Sequence, residues 1–101
     1  MRKYHHPAIR DVSLSSVMQA LADPWRLGII RDLLETDNTE RSCTDFPMDI
    51  AKATRSHHLQ VLRDAGLIRT RVSGTKAMTS LRLKEFEKRF PGLLDLVQKR
   101  V

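Results

Sequence analysis

The sequence lacks several features that would indicate an enzyme, a secreted protein or a membrane protein. Its 101 residues include one cysteine, Cys43, so no disulfide can form within the chain, and a lone thiol fits the reducing cytoplasm. No long apolar run follows the basic start MRKYHHPAIR, so we expect neither a signal peptide nor a membrane span. The glycines form no phosphate-binding loop, and no nucleophile–base pair is evident. We therefore expect a cytoplasmic domain that is not an enzyme.

The basic residues are concentrated in one third of the chain. The net charge is +6, from 18 Lys and Arg residues against 12 Asp and Glu residues. Residues 50–84 contain eight basic residues and one acid, so this stretch carries +7 while the remainder carries −1. A localised excess of this kind is typical of a surface that binds a polyanion. Double-stranded DNA is the expected partner.

Capping signals divide the first part of the chain into two helices. Ser13 precedes an apolar stripe with helical spacing that continues to about Ala22. Asp23 followed by Pro24 is a strong start signal for a second helix, which we expect to end near Glu35. A chain of this length favours one domain.

Two segments flank these helices. Residues 1–12 are expected to form a flexible basic arm that leads into the first helix. After the second helix, Ser42 is expected to cap a short helical turn that buries Cys43 and Phe46 and stops at Pro47.

The second half predicts a helix, a hairpin and a final helix. The helix spans residues 52–65 and stops at Gly66, and the hairpin, residues 68–83, turns at Ser73-Gly74. Residues 84–101 are expected to form a C-terminal dimerisation helix with a kink, or a break into two pieces, at Pro91-Gly92. The expected fold is mainly α with a two-stranded β-hairpin wing, which is a winged helix-turn-helix. The helix over residues 52–65 is narrow enough to enter a DNA major groove.

Two motifs in this order resemble a known family. ALADPWRLGIIRDLL followed by SHHLQVLRDAGLI is similar to the ArsR-type (arsenical-resistance repressor-like) bacterial regulators. The resemblance covers roughly residues 14–83, and RFPGLL near the end resembles one subgroup. It implies a homodimer, joined through the first and last helices, that binds a palindromic operator and represses transcription until an inducer releases it. The implied interface pairs the first helix with the last: Leu14, Val17, Met18, Leu94 and Val97.

The sequence departs from the family pattern at its metal-binding positions. Many members carry a Cys-x-Cys pair before the recognition helix, whereas Cys43 stands alone here, and the last helix has no His or Cys. A zinc site normally needs four ligands. We therefore expect no metal and no cofactor. Arg55 is a second departure, because the family usually has an apolar residue there; we expect its side chain to reach outward.

The candidate DNA-binding residues lie on the helix and the wing. Short hydroxyls, an amide and an imidazole on the helix can contact base edges, and basic residues can contact phosphates. His57 is expected to point towards DNA, as the family position implies, while His58 packs beside Leu62. The DNA-binding candidates are Lys52, Thr54, Arg55, Ser56, His57, Gln60 and Arg63 on the helix, and Arg71, Ser73, Thr75 and Lys76 on the wing.

Two alternatives remain open from the sequence. Cys43 could be a redox or small-ligand sensor that releases DNA, although a small buried thiol is the simpler interpretation. A winged-helix module that binds only proteins is the other, and the local charge argues against it. The inducer is unknown. His5 and His6 are expected to be disordered within the arm.

Overall fold

A computed structural model describes residues 4–46 and 49–99. A short 3-10 turn, Ile9–Asp11, precedes helices and strands in an order that matches a winged helix. The elements are α1 (Leu14–Leu21), α2 (Pro24–Glu35), β1 (Arg41–Ser42), α3 (Lys52–Asp64), β2 (Ile68–Ser73), β3 (Lys76–Leu81), α4 (Leu83–Arg89) and α5 (Leu93–Gln98).

The predicted starts of α1 and α2 are confirmed. The Ser13 hydroxyl accepts from the backbone N–H of Ser16 at 3.1 Å. The Asp23 carboxylate accepts from the N–H groups of Trp25, at 2.8 Å, and Arg26, at 3.1 Å. Pro24 occupies the first position of α2, where its missing N–H costs no hydrogen bond.

The sheet has three strands, in the order β1-β3-β2, rather than the predicted two. Arg41 and Ser42 pair with Thr79 and Met78 of β3 and cover an edge that the hairpin alone would leave open. Ser42 does begin a turn, because its carbonyl accepts from the N–H of Asp45 at 2.9 Å and its hydroxyl from that of Thr44 at 3.4 Å, but the turn is not helical. Phe46 is buried as expected, whereas Cys43 is half-buried. The predicted stop, Pro47, lies outside the described residues.

Gly66 makes the sharp turn from α3 into β2. Its φ of +74° lies in the left-handed region, which favours glycine. A Cβ at this position would lie 2.9 Å from side-chain atoms of both Ile9 and Val12. Glycine is therefore required both by the backbone conformation and by the close approach of the N-terminal segment, and the predicted helix stop is confirmed.

The N-terminal arm contacts the wing and the residue that follows it. The His6 Nε2 atom accepts from the backbone N–H of Thr70 at 2.9 Å, and Arg82 Nη1 donates to the Pro7 carbonyl at 2.7 Å. Burial lowers the pKa of the His6 imidazole, and the charges of Arg82 and Arg63 lower it further. These contacts differ from the prediction of a flexible arm over residues 1–12 with His5 and His6 disordered. Residues 1–3 lie outside the described part of the chain.

The tail forms two short helices, α4 and α5, which is the second of the two outcomes expected for residues 84–101. The predicted break at Pro91-Gly92 is confirmed, and Gly92 adopts a φ of +85°. Arg31 of α2 donates from Nε to the Val97 carbonyl at 3.0 Å, which fixes α5 on the body of the protomer. The last two residues of the predicted helix lie outside the described residues.

The core lies between the helices and one face of the sheet. It contains three residues that were predicted for a dimer interface: Val17, Leu94 and Val97. Val17 is completely inaccessible to solvent. These three side chains are therefore used inside the protomer, because α5 folds back on α2, and the exposed interface candidates are Leu14 and Met18. No helix in the two described ranges is both long and apolar enough to cross a membrane.

Candidate nucleic-acid interface

One face of α3 is exposed and polar, and the other is buried. Leu59 and Leu62 enter the core, which orients the opposite face outward. The exposed face carries an ammonium group, hydroxyls, an imidazole and an amide in an arrangement with donors and acceptors suited to base edges and phosphates. Its members, all predicted from the sequence, are Lys52, Thr54, Ser56, His57 and Gln60.

The wing places a second polar group at the tip of the hairpin. Ser73, Thr75 and Lys76 are exposed around the turn at Gly74, whose φ is +62°. Arg71 lies on the same strand, also exposed, and donates from Nε and Nη2 to the two carboxylate oxygens of Glu40 at 2.7 and 2.5 Å. The hydrogen bonds from Arg71 lower the pKa of the Glu40 carboxyl, and the same pair raises the pKa of Arg71.

Arg63 occupies a structural position that the sequence did not predict. Its guanidinium lies 4.6 Å from the centre of the Tyr4 ring, and its Nη1 donates to the Thr70 hydroxyl at 3.2 Å. It thus joins α3, β2 and the N-terminal arm. This placement favours a structural role for Arg63 over the predicted phosphate contact.

Arg55 does not reach fully outward as predicted. Its side chain is half-buried, and the Nε atom is buried without a hydrogen-bond partner in the described structure. An aliphatic stem packed against the protein with a polar end near the surface is the usual compromise for arginine. Arg55 is therefore placed at the border between the core and the exposed face of α3.

Much of the positive charge in residues 50–84 is paired within the protomer. Arg69 and Arg82 each donate to a different oxygen of Glu85, at 2.6 and 2.8 Å, and Arg71 pairs with Glu40. The hydrogen bond from Arg82 contributes most to a lowered pKa of Glu85. Both glutamates lie outside the window in which the charge was counted, so the sequence-based excess overstated the free charge. Lys52, Lys76 and Lys84 remain exposed.

Arg26 connects three helices beneath the exposed face. Its Nη1 lies 3.2 Å from Nδ1 of the buried His58, and its Nε and Nη2 donate to the carbonyls of Ala20, at 2.7 Å, and Gln19, at 3.2 Å. Because arginine only donates, His58 accepts through Nδ1. Arg26 was not singled out from the sequence, although its position three residues after the cap Asp23 was visible.

The two adjacent histidines of α3 have different environments. The His57 ring is exposed, whereas His58 is buried, and their ring centres lie 6.1 Å apart. Within residues 4–46 and 49–99, no three His, Cys, Asp or Glu side chains form a group that could hold a metal ion.

Known proteins with the same organisation are transcriptional regulators. The chain is 37% identical over 87 residues to YceK of Bacillus subtilis, an uncharacterised HTH-type transcriptional regulator; the match covers 84% of this chain and 86% of YceK. Among solved structures, an ArsR family transcriptional regulator is 27% identical with a TM-score of 0.66, covering 74% of this chain and 81% of that one. The transcriptional repressor BigR from Xylella fastidiosa is 25% identical, also with a TM-score of 0.66, covering 85% of this chain and 80% of BigR. No family model matches the chain.

The chain belongs to the ArsR family. It is a DNA-binding transcriptional regulator with a winged-helix fold, and its relatives form a class without enzymatic activity. For an ArsR-family regulator, α3 is the recognition helix of the motif and the β2–β3 hairpin is the wing. The exposed polar residues on these two elements are thus the candidates for contact with DNA.

Proposed function

We propose that the protein is a homodimeric cytoplasmic repressor that binds a palindromic operator. Each protomer places α3 in a major groove and the tip of its wing on adjacent phosphates. The observation that supports this most is the set of exposed polar side chains on α3 and at the wing tip, held by a core that orients both elements. BigR, a solved relative, is a transcriptional repressor, which supports the direction of regulation.

The recognition helix supplies sequence preference. Ser56, His57 and Gln60 project short or planar polar groups that can donate to and accept from base edges in a major groove. Lys52 and Thr54 lie near the start of α3, where ammonium and hydroxyl groups suit phosphate oxygens. Arg55, half-buried beside this face, supports the helix and adds positive charge.

The wing supplies affinity that does not depend on sequence. Lys76, Ser73 and Thr75 can donate to phosphate oxygens from the exposed tip. Arg71 is held by Glu40 in the free protein, but an ion pair this exposed to solvent contributes little to stability. A DNA phosphate can therefore replace Glu40 as the partner of Arg71, since guanidinium binds phosphate and carboxylate with the same two-pronged geometry.

A second protomer is proposed to cover the apolar surface formed by α1 and α5. Leu14, Met18 and Leu96 are each about half exposed, at 50%, 48% and 51%. Leu14 and Leu96 line one groove together with Leu93 and Phe90. Exposed apolar side chains that cluster at one groove are typical of an interaction surface. A two-fold interface would bury these leucines on both protomers.

Selection of bound genomic fragments tests the proposal directly. The purified protein is mixed with sheared genomic DNA and washed at rising salt concentrations. The DNA fragments that stay bound are then sequenced. We expect enrichment of one imperfect palindrome with half-sites about one helical turn apart. Lys84→Ala, which changes an exposed base on α4, is the control and should enrich the same fragments. Recovery of random fragments at every salt concentration would contradict sequence-specific binding.

A further inference from the structure

A cavity of about 290 Å³ lies between the recognition helix and the sheet. Residues of α3 form one wall, and β2, β3 and the residue after β1 form the other. The Tyr4 ring and the Arg63 guanidinium also contribute to its lining. Its polar lining residues include Cys43, Ser56, Gln60, Arg63, Thr70 and Thr79.

Thr79 contributes a buried hydroxyl that has no protein partner. The side chain is completely inaccessible to solvent, and Oγ1 makes no hydrogen bond within the described structure. Side chains alternate along a strand, so Ala77 and Thr79 of β3 face the same side of the sheet. Thr70 of β2 is paired with Thr79 and faces that side too. All three line the cavity. A buried hydroxyl without a partner is destabilising, and a bound molecule that accepts from it removes that cost.

The cavity lining favours a negatively charged molecule. Arg63 is the one Lys or Arg residue on its wall, and no Asp or Glu is among the lining residues described. The hydroxyls of Thr79, Thr70 and Ser56 can all donate. The half-buried thiol of Cys43 lies on the same wall, because its backbone N–H donates to the Ala77 carbonyl at 3.1 Å. Since liquid water occupies about 30 Å³ per molecule, the cavity suits a ligand of roughly ten non-hydrogen atoms or fewer.

We propose that this cavity binds a small organic anion that carries a carboxylate, and that its occupancy weakens DNA binding. The anionic oxygens accept from Arg63 and from the Thr79 hydroxyl, and the remainder of the molecule lies against Cys43. The effect of the bound anion on DNA binding rests on the function proposed above. We expect this effect because Ser56, His57 and Gln60 line the cavity and also belong to the exposed polar face of α3.

Alkylation of Cys43 tests the anion preference without DNA. Because Cys43 is the only thiol, iodoacetate and iodoacetamide report on this position alone. The ratio of the two alkylation rates does not depend on the fraction of Cys43 that is thiolate. It therefore measures the preference of the cavity for a carboxylate over an amide of similar size. We expect the iodoacetate-to-iodoacetamide ratio to be about tenfold higher in the folded chain than in the same chain unfolded in urea, as one charge-assisted hydrogen bond would give.

Two variants assign the preference to the cavity. Thr79→Val and Arg63→Gln should each bring the ratio towards that of the unfolded chain, whereas Lys84→Gln removes a distant charge and should leave it unchanged. Thr79→Val retains the shape of the side chain, so it serves if Arg63→Gln does not fold. A ratio equal in folded and unfolded chains overturns the proposal. The same conclusion follows if neither variant changes the ratio, or if neither reagent reaches Cys43.

The two alkylated proteins then test coupling to DNA. The carboxymethyl and carbamidomethyl groups are nearly equal in size. A loss of operator affinity common to both proteins therefore reports occupancy of the cavity, and a further loss in the carboxymethylated protein reports the effect of the negative charge. We expect carboxymethylation to weaken operator binding about tenfold. Unchanged affinity for the operator overturns the regulatory part. If the unmodified protein binds no DNA, the proposed function fails, but the alkylation ratio still decides whether the anion site exists.

Discussion

Thr70 and Thr79 lie directly opposite one another in the β2–β3 ladder, and their hydroxyls have opposite hydrogen-bonding states. Thr70 accepts from Arg63 at 3.2 Å, whereas the buried Thr79 hydroxyl lacks a partner in the described structure. Two residues of one type, on one face of one sheet, therefore separate the energetics of a satisfied hydroxyl from those of an unsatisfied one.

Replacing each threonine by valine should change stability in opposite directions. Thr79→Val removes an unsatisfied buried hydroxyl, so we expect the free energy of unfolding to rise by about 1 kcal/mol. Thr70→Val removes the acceptor of Arg63, so we expect it to fall by about 1 kcal/mol. Urea unfolding of both variants at neutral pH measures the difference. A clear loss of stability in Thr79→Val would show that the hydroxyl is satisfied in solution without a ligand.

Arg26 should be important for stability although it touches neither DNA nor a partner in the proposed arrangement. Lysine cannot reproduce contacts to Ala20, Gln19 and His58 together, so Arg26→Lys should lower the free energy of unfolding by about 2 kcal/mol. Arg10→Lys, at an exposed position of the 3-10 turn, is the matched control and should have little effect. Equal stability of the two variants would mean that the link between α1, α2 and α3 contributes nothing.

The Asp23 cap should make stability depend on acid. Partial burial alone would raise its pKa, but the N–H groups of Arg26 and Trp25 outweigh burial and hold it below the ordinary 3.8. A depressed pKa in the folded state adds stability above the ordinary value, and this contribution is lost as the pH falls through the folded-state pKa. Asp23→Asn should therefore lose less stability than wild type between neutral pH and about pH 3. Parallel pH profiles for the two proteins would contradict this assignment.

The exposed groove of α1 and α5 should control assembly. Leu14→Asp or Met18→Asp places a charge where the proposed interface is apolar, so we expect monomers that bind DNA weakly. Leu83→Asp changes another exposed leucine, which lines a separate hollow with Leu34, and should leave the dimer intact. Light scattering at micromolar concentration measures the assembly state. Dimers of unchanged strength in both Leu14→Asp and Met18→Asp would place the interface elsewhere.

Local signals in the sequence predicted the helices well. The caps Ser13 and Asp23, and the left-handed stop Gly66, act within a few residues of their own position, so they can be recognised without knowing the fold. The exposed face of α3 was also predictable, because burial of Leu59 and Leu62 fixes the direction of the remaining side chains.

Contacts between distant segments could not be predicted in the same way. The two-residue strand β1 forms because its partner is the free edge of β3, and two residues carry no periodic signal of their own. Similarly, Glu40 and Glu85 pair with arginines of the hairpin only after the chain folds. A charge count along the sequence therefore overstates the positive surface. Lys76, by contrast, lies exposed at the wing tip, as predicted.

Titration of operator and random DNA with wild type, His57→Ala and Lys76→Ala, at several salt concentrations, separates base recognition by α3 from phosphate contact by the wing. We expect His57→Ala to weaken operator binding by about 1–3 kcal/mol with little effect on random DNA. We expect Lys76→Ala to weaken binding to both DNAs alike and to lower the salt slope by about one unit. Equal losses on operator and random DNA for both variants would contradict the assignment of base recognition to α3 and phosphate contact to the wing.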